Sequence, residues 1–354
     1  MFLDYSIWDT LAETDKPIFL YGTGNGADKI ISALEQNNIK LEGIFASDGF
    51  VRDRYFHEYH VRSYSDVINE YGNDIIVLLA FGTTLEEVRA FIEELDRKHE
   101  LIIPDVPLYG GELFDMNYLK KHRDELESAR AMLDDEESRL LFDDVVNFRL
   151  SGRLEYLLLT EDMTETLHKI FGNKKISTVI DGGAFKGDSA DIFASALSPE
   201  IIYAIEADPK TFKKLAAYAE NESRCKVIPI NAALSDYIGE VEYSSSGSRG
   251  SGEDGKNKRA KVTFTRSTTL DNEFASTDID LIKLDIEGSE VAAILGGSEL
   301  IERCRPDMAV SLYHRTDDIF ALINEVHDRL PEKKLYLRRV RCIPMWDITL
   351  YATE

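Results

Sequence analysis

Cysteine is scarce in this sequence of 354 residues, which contains three. Cys225, Cys304 and Cys342 are scattered along the second half of the chain without CxxC spacing. That pattern argues against a disulfide framework and against a zinc site built on paired cysteines. We therefore expect reduced thiols in a cytosolic protein.

Long apolar runs are also missing. No uninterrupted apolar stretch approaches the ~18 residues that a membrane-spanning helix needs. Residues 1–15 contain acids and no basic segment, so they do not have the pattern of a secretory signal. The sequence thus predicts a soluble, cytoplasmic protein without a membrane partner.

Basic residues are outnumbered: 41 lysines and arginines stand against 65 aspartates and glutamates, for a formal net charge of -24. A surface this acidic repels phosphate backbones, which argues against nucleic acid as a partner. The hydrophobic fraction of 44% is typical of globular proteins and argues against a disordered chain.

The order of apolar and polar segments predicts an α/β protein of about two domains. Strand-like and helix-like patterns alternate over residues 17–105 and again from residue 177, with charged helical patterns between them. We predict an N-terminal Rossmann-like domain over 1–112, a helical connector over 113–175 and a larger α/β domain over 176–354. Residues 335–340 and 348–352 are expected to form a hairpin at one edge of its sheet.

A segment rich in Gly, Ser, Lys and Arg, residues 244–259, interrupts the second domain. Its composition predicts a mobile loop between two strands. Two interpretations remain open, an inert insertion and a lid over an active site.

The strongest motif is Val179-Ile180-Asp181-Gly182-Gly183-Ala184-Phe185-Lys186-Gly187-Asp188, in which an apolar strand runs through a glycine-rich turn into a helix. Glycines allow the backbone to approach a ligand closely at the carboxyl edge of a sheet. Asp181 is positioned for a carboxylate to meet a positively charged group of a cofactor. NAD enzymes share such turns, so this motif alone does not choose the cofactor.

A second motif is Ile205-Glu206-Ala207-Asp208-Pro209, which ends the next predicted strand. An acid at that position can accept hydrogen bonds from both ribose hydroxyls of NAD or of S-adenosylmethionine. The alternative for Glu206 is capping the following helix, but Asp208 before Pro209 already fills that role. We therefore predict that Glu206 binds ribose.

A third motif, Lys283-Leu284-Asp285-Ile286-Glu287-Gly288-Ser289-Glu290, closes a later strand. Together with the motifs above it makes residues 177–354 resemble the FkbM methyltransferase family. Three further segments, in the family order, contribute to the resemblance: Asn231-Ala232-Ala233-Leu234-Ser235-Asp236, Thr268-Thr269-Leu270-Asp271 and Leu295-Gly296-Gly297.

The resemblance implies a class I methyltransferase fold with a seven-stranded sheet, S-adenosylmethionine as the cofactor, and methylation of a hydroxyl on a sugar, nucleotide sugar or other small metabolite. It also implies which residues contact the cofactor: Asp181, Gly182, Gly183, Ala184, Gly187, Glu206, Ala207, Asn231, Ala232 and Asp285.

We expect the proton of the acceptor hydroxyl to be removed by residues at the ends of neighbouring strands. The family often has an acid and a histidine after the fifth strand; here Tyr313-His314 keeps the histidine, and Ser311 stands where an acid is common. His314 is the favoured base because its unperturbed pKa suits proton transfer, and Asp285 and Glu287 are the other candidates. The same three residues could hold a divalent cation, but the metal-free interpretation is favoured.

The N-terminal turn Gly22-x-Gly24-x-x-Ala27, followed by Asp48, is a weaker match to a dinucleotide-binding motif. This half is similar to the nucleotide-sugar-binding domain of bacterial sugar acetyltransferases, and a nucleotide-sugar or structural role is favoured over NAD. Residues 133–150 resemble a helical lead-in of longer bacterial family members, which either packs only or forms a wall of the acceptor pocket.

Two other functions compete with methyl transfer. A non-catalytic nucleotide-sugar-binding scaffold is opposed by the intact Asp181, Gly187, Glu206 and Asp285. An NAD-dependent oxidoreductase acting through the N-terminal half is opposed by the lack of a Tyr-x-x-x-Lys motif or a cysteine nucleophile. The acceptor, metal dependence and oligomeric state, including a homo-oligomer, stay open.

Overall fold

The computed structural model describes residues 1–51, 53–107, 109–172, 174–245 and 261–354. Within these ranges, every helix is either too short or too polar to cross a membrane. The structure contains two mainly parallel sheets with helices around them and a small third sheet.

The N-terminal sheet has six strands in the order β3-β4-β2-β1-β5-β6. Its strands are parallel except for the β3–β4 pair. In chain order the elements are α1 (Ile7–Glu13), β1 (Ile18–Tyr21), α2 (Asn25–Gln36), β2 (Gly43–Ala46), β3 (Tyr55–Phe56), β4 (Tyr59–Ser63), α3 (Tyr64–Tyr71), β5 (Ile76–Leu79), α4 (Glu86–Lys98) and β6 (Glu100–Ile102).

The alternation predicted for this half is confirmed, with one error. The β3–β4 hairpin was not predicted; it lies at the sheet edge, where β3 has little burial. An exposed edge strand lacks the apolar alternation from which strands are recognised.

Helices then connect the two large sheets: α5 (Met116–Lys121), α6 (Arg123–Ala131), α7 (Glu136–Ser151) and α8 (Met163–Phe171). Asp135 caps α7 by accepting a hydrogen bond from the Ser138 backbone N–H. The same carboxylate lies 2.6 Å from Arg338. The Ser138 hydroxyl accepts from the backbone N–H of Leu337 at 2.8 Å. These contacts attach α7 to an edge strand of the C-terminal sheet, in agreement with a packing role.

The C-terminal sheet has seven strands in the order β15-β16-β14-β13-β7-β8-β9. The elements are β7 (Thr178–Gly182), α9 (Asp188–Ala196), β8 (Ile201–Glu206), α10 (Pro209–Asn221), β9 (Lys226–Asn231), β10 (Ala233–Leu234), β11 (Gly239–Ser245), β12 (Lys261–Thr268), α11 (Leu270–Glu273), β13 (Leu281–Leu284), α12 (Glu290–Leu295), α13 (Ser298–Cys304), β14 (Asp307–Ser311), α14 (Asp318–Arg329), β15 (Lys334–Arg339) and β16 (Ile348–Thr353).

This order confirms the predicted seven-stranded methyltransferase-type sheet. Strands β14, β13, β7, β8 and β9 run parallel to one another. β15 and β16 form the predicted antiparallel hairpin at one edge. The two strands predicted on either side of the 244–259 segment are β11 and β12. With β10 they form a separate three-stranded sheet, which was not predicted. Most of the predicted loop at 244–259 lies outside the described residues.

The N- and C-terminal sheets are joined through direct contacts. Thr83, just after β5, forms an antiparallel bridge with Ile343, which lies between β15 and β16. One cluster of buried apolar side chains includes Phe19 and Tyr21 of β1 as well as Leu335 of β15. The two sheets therefore share a core, while the domain boundaries given above stay predictions.

Candidate active site

Five strand ends meet at one edge of the C-terminal sheet. Because β7, β8, β9, β13 and β14 are parallel, their carboxyl ends lie at the same edge, where α/β sheets bind ligands. The residues at or just beyond these ends are Gly183, Glu206, Asn231, Asp285 and His314. Residues predicted separately from the sequence are thus brought to one edge.

The turn after β7 requires glycine at two positions. Gly183 has a φ of 76°, and a Cβ there would lie 1.9 Å from the backbone oxygen of Asp285. Gly187 has a φ of 101°, and its Cβ would lie 2.4 Å from the ring of Tyr218. Glycine therefore lets the turn lie directly against the segment that follows β13.

Asp181 lies beneath this edge. Its carboxylate is fully buried, 3.1 Å from Lys283 Nζ, and accepts a hydrogen bond from the Ser189 hydroxyl at 2.6 Å. Lys283 also donates to the carbonyl oxygens of Gly182 and Gly183 at 3.0 Å. Asp181 orders the turn through Lys283. Its contact with the cofactor, implied by the resemblance, stays a prediction.

Charges around Lys283 keep it protonated. Burial acts to lower the pKa of Lys283, but the carboxylates of Asp181 and Asp285 outweigh it and raise this pKa above its ordinary value. The lysine therefore supplies a fixed positive charge behind the glycine turn.

Glu206 at the end of β8 is 7% exposed. One carboxylate oxygen accepts the Phe185 backbone N–H at 3.0 Å and the other accepts that of Asp208 at 2.8 Å. Burial raises the pKa of Glu206 to about 7, although these two hydrogen bonds act in the opposite direction. Asp208 caps α10 by accepting from the Lys210 backbone N–H, as predicted, while ribose binding by Glu206 stays a prediction.

Asn231 fixes the backbone after β8. Its side-chain amide donates to the carbonyl oxygens of Glu206 at 2.7 Å and Ala207 at 3.2 Å. Thr265 of β12 also donates to the Ala207 carbonyl, at 2.7 Å. Ala184 and Ala232 are buried, so their side chains shape this edge from within the core.

The three residues predicted to be catalytic form one cluster. Nε2 of His314 lies 3.4 Å from Oδ1 of Asp285 and 3.6 Å from Oε2 of Glu287. The imidazole is 1% exposed, whereas the two carboxylates are 34% and 28% exposed. The carboxylates therefore face the accessible side of the cluster.

Glu290 is a fourth member that the sequence argument did not assign. Its Oε1 lies 2.9 Å from Nδ1 of His314 and accepts the Ile286 backbone N–H at 2.8 Å. Glu290 is the first residue of α12, where the helix dipole alone is sufficient to favour an acid. The sequence therefore gives no sign of its contact with His314, which only the folded structure shows.

The environment of His314 changes its chemistry. Burial lowers its pKa, but Glu290, Asp285 and Glu287 outweigh burial and raise the pKa to about 10. The imidazole thus carries a proton at neutral pH in this arrangement. The argument that His314 is the base because of its ordinary pKa is corrected accordingly, since the three carboxylates were not visible as its neighbours in the sequence.

Asp285 has two further polar partners. The Tyr313 hydroxyl donates to its Oδ1 at 3.0 Å, and the Ser311 side chain also hydrogen-bonds to it. Burial raises the pKa of Asp285, but Lys283 and His314 outweigh this and hold it below the ordinary value. Ser311 therefore supports the carboxylate at the neighbouring strand end.

The N-terminal half reaches the cluster through the segment after β6. The Tyr109 ring packs edge-on against His314, with ring centroids 5.8 Å apart. The Thr316 hydroxyl donates to the carbonyl oxygen of Glu112 at 2.8 Å, and Arg149 donates to that of Thr316 at 2.6 Å. These contacts fix the segment beside the cluster.

The proposed nucleotide motif of the N-terminal half has structural explanations. Asp48 accepts hydrogen bonds from the backbone N–H and the hydroxyl of Ser65, which lies in the first turn of helix α3. Gly22 has a φ of 106°, and a Cβ there would lie 2.6 Å from the ring of Phe81, so the turn after β1 needs glycine for its backbone and packing. Nucleotide binding by this half stays a prediction.

Comparison with known proteins agrees with this geometry. Residues 181–337 match the family model of the methyltransferase FkbM domain. The matched region contains the glycine turn, Glu206 and the entire His314 cluster. The search of curated proteins found no match to this chain.

Among solved structures, the chain is similar to methyltransferase FkbM from Methylobacillus flagellatus KT, with a TM-score of 0.70 and 18% identity over 98% of this chain and 92% of that one. The shared fold therefore includes the N-terminal half. Aeropyrum pernix fibrillarin matches over 51% of this chain and 67% of its own, with 12% identity and a TM-score of 0.33. A precorrin-6y C5,15-methyltransferase from Geobacter metallireducens GS-15 matches over 56% and 90%, with 8% identity and a TM-score of 0.35.

Proposed function

We propose that the C-terminal half transfers the methyl group of S-adenosylmethionine to a hydroxyl of a small acceptor, a sugar, nucleotide sugar or related metabolite. The observation that carries the proposal is the arrangement around β7. The glycine turn follows β7. Glu206 ends β8, the neighbouring strand on one side, and the His314 cluster follows β13 and β14 on the other side. The match to the methyltransferase FkbM domain supports it.

The Glu206 carboxylate fits a ribose. Both of its oxygens are oriented by backbone N–H groups, and each retains a lone pair for another donor. A buried acid with a pKa of about 7 is poorly solvated, and two ribose hydroxyls would supply the missing hydrogen bonds. The bound cofactor supplies a methyl group already activated on a positively charged sulfur.

The His314 cluster is assigned to the acceptor. A sugar hydroxyl must lose its proton as its oxygen is methylated, and a positioned base contributes ~10²–10⁴-fold to the rate. Because His314 is already protonated in this arrangement, the more exposed carboxylates of Asp285 and Glu287 accept the hydroxyl's hydrogen bond, and one of them takes its proton as the oxygen–methyl bond forms and the methyl–sulfur bond breaks. His314 holds these carboxylates and balances their charge.

The test uses the full chain. Calorimetry measures binding of S-adenosylmethionine, and mass spectrometry follows methylation of a panel of sugars and nucleotide sugars. We expect Glu206→Gln to weaken cofactor binding, Asp285→Asn to lower turnover with affinity retained, and exposed Glu220→Gln to match the parent. Absence of cofactor binding by the parent protein would refute the proposal.

A further inference from the structure

The surroundings of His314 hold more negative charge than one imidazole can balance. The carboxylates of Asp285, Glu287 and Glu290 all approach the ring within 3.6 Å. Lys283 Nζ, 3.9 Å from Asp285 Oδ2, balances part of this charge. Three carboxylates around one imidazole still bring together the oxygen and nitrogen donors that bind divalent cations.

Three buried polar atoms of His314 and Glu290 form no hydrogen bond of good geometry within the described residues. They are Nδ1 and Nε2 of His314 and Oε2 of Glu290, and each side chain is 1% exposed. Nδ1 nevertheless lies at an ion-pair distance of 2.9 Å from Glu290 Oε1. Nε2 points toward the side where Asp285 and Glu287 lie, at separations that are too long for good hydrogen bonds. A buried nitrogen in this position has the orientation of a ligand.

The separations suit atoms that share a metal ion. With metal–ligand bonds of about 2.1 Å, two ligands of one cation lie about 3.0–3.5 Å apart. The observed distances from Nε2 are 3.4 Å to Asp285 Oδ1 and 3.6 Å to Glu287 Oε2. One donor atom each from Asp285, Glu290 and His314 also lies within 4.8 Å of the others.

The opposite ring nitrogen has the partner that metal-binding histidines usually have. Nδ1 lies 2.9 Å from Glu290 Oε1, and a carboxylate there fixes both the tautomer and the ring orientation. A cation that binds here displaces the Nε2 proton of the imidazolium to solvent. With the remaining proton on Nδ1, the lone pair of Nε2 is directed at the gap between Asp285 and Glu287. Glu290 therefore acts as the positioning residue.

We propose that Asp285, Glu287 and His314 Nε2 bind a divalent cation of the Mn²⁺ class, oriented by Glu290. One nitrogen and two carboxylates form a mixed ligand set that suits such an ion and leaves further positions open on the exposed side. This site overlaps that of the proposed methyl transfer, and an acceptor hydroxyl could occupy an open position. Cation binding is nevertheless measurable without cofactor or acceptor.

The experiment titrates chelator-treated full-length protein with Mn²⁺ alone, followed by calorimetry and electron paramagnetic resonance. We expect one ion per chain, with nuclear modulation from an imidazole nitrogen that disappears in His314→Gln. Asp285→Asn and Glu287→Gln should each weaken binding at least ~10-fold. Asp317→Asn removes a charge from an exposed side chain nearby and should stay within twofold of the parent.

Thermal unfolding checks that each variant is folded, and Glu287→Gln, at a partly exposed position, serves if Asp285→Asn does not fold. No Mn²⁺ uptake, or equal uptake by the parent and both carboxylate variants, would overturn the inference. Cofactor binding without Mn²⁺ binding refutes the cation site alone. Mn²⁺ binding without cofactor binding refutes the proposed function alone.

Discussion

His314 Nδ1 and Glu290 Oε1 lie 2.9 Å apart, and both side chains are almost completely buried. The pair joins the end of β14 to the first turn of α12. Because Glu290 also accepts the backbone N–H of Ile286, it holds the segment after β13 in the same contact. One buried acid thus fixes the relative positions of two strand ends at the candidate active site.

Removing that acid should destabilise the fold. Glu290→Ala leaves a buried imidazole and a backbone N–H without their main partner, so we expect a loss of about 3 kcal/mol in the free energy of unfolding. Urea denaturation measures it. Glu302→Ala, at an exposed position of α13, should change stability by less than ~0.5 kcal/mol. An equally small change in Glu290→Ala would show that the pair contributes no net stability.

The sequence alone predicted those structural features that depend on residues close together in the chain. The glycine turn and Glu206 lie within short motifs, and an apolar strand followed by glycines predicts both the element and its exposed end. Asp208 before Pro209 likewise predicts the helix start that the structure shows. These features depend on residues close together in the chain.

Features that depend on distant residues were not predictable in this way. The partner of Asp181 is Lys283, more than a hundred positions later, and the pairing requires β13 to lie beside β7. The pKa of His314 depends on three carboxylates whose directions follow from the loop after β13, where Glu287 has a φ of 58°. A periodic pattern contains no information on either arrangement.

Cofactor affinity should depend on pH through Glu206. Its pKa of about 7 means that protonation removes the anionic acceptor as the pH falls. If only the carboxylate form binds ribose, affinity for S-adenosylmethionine falls about 10-fold between about pH 8 and pH 6. Calorimetry at several pH values measures this.

Glu206→Gln is the control variant. It should bind S-adenosylmethionine more weakly at pH 8, by ~1.5–3 kcal/mol, and its affinity should not change with pH. The same slope in parent and variant would assign the titration to another group.

The pairing of Asp181 with Lys283 can be measured by a double-mutant cycle. Asp181→Asn and Lys283→Met each leave a buried partner uncompensated, so the double variant should lose less stability than the two single losses combined. We expect a coupling of about 1–3 kcal/mol from urea denaturation. The exposed Lys175–Glu200 pair, 3.0 Å apart, is the control and should couple by less than ~0.5 kcal/mol. Additive losses at Asp181 and Lys283 would mean that their contact does not stabilise the turn.

The contact between the two large sheets can be tested at Gly82. A Cβ there would lie 2.4 Å from the ring of Trp346, so Gly82→Ala should cost about 1–3 kcal/mol through overpacking. Gly49→Ala is the matched control because its Cβ would meet nothing within 4 Å. In a Trp346→Leu background the Ile343 carbonyl oxygen still lies 3.1 Å from that Cβ, so adding Gly82→Ala should cost about 1 kcal/mol less than in the parent and not become neutral. Thermal and urea unfolding of the four variants and the parent give these differences. If Gly82→Ala costs the same with and without Trp346, the ring is not the source of the loss, and the Gly82–Trp346 contact does not couple the N-terminal sheet to the β15–β16 hairpin.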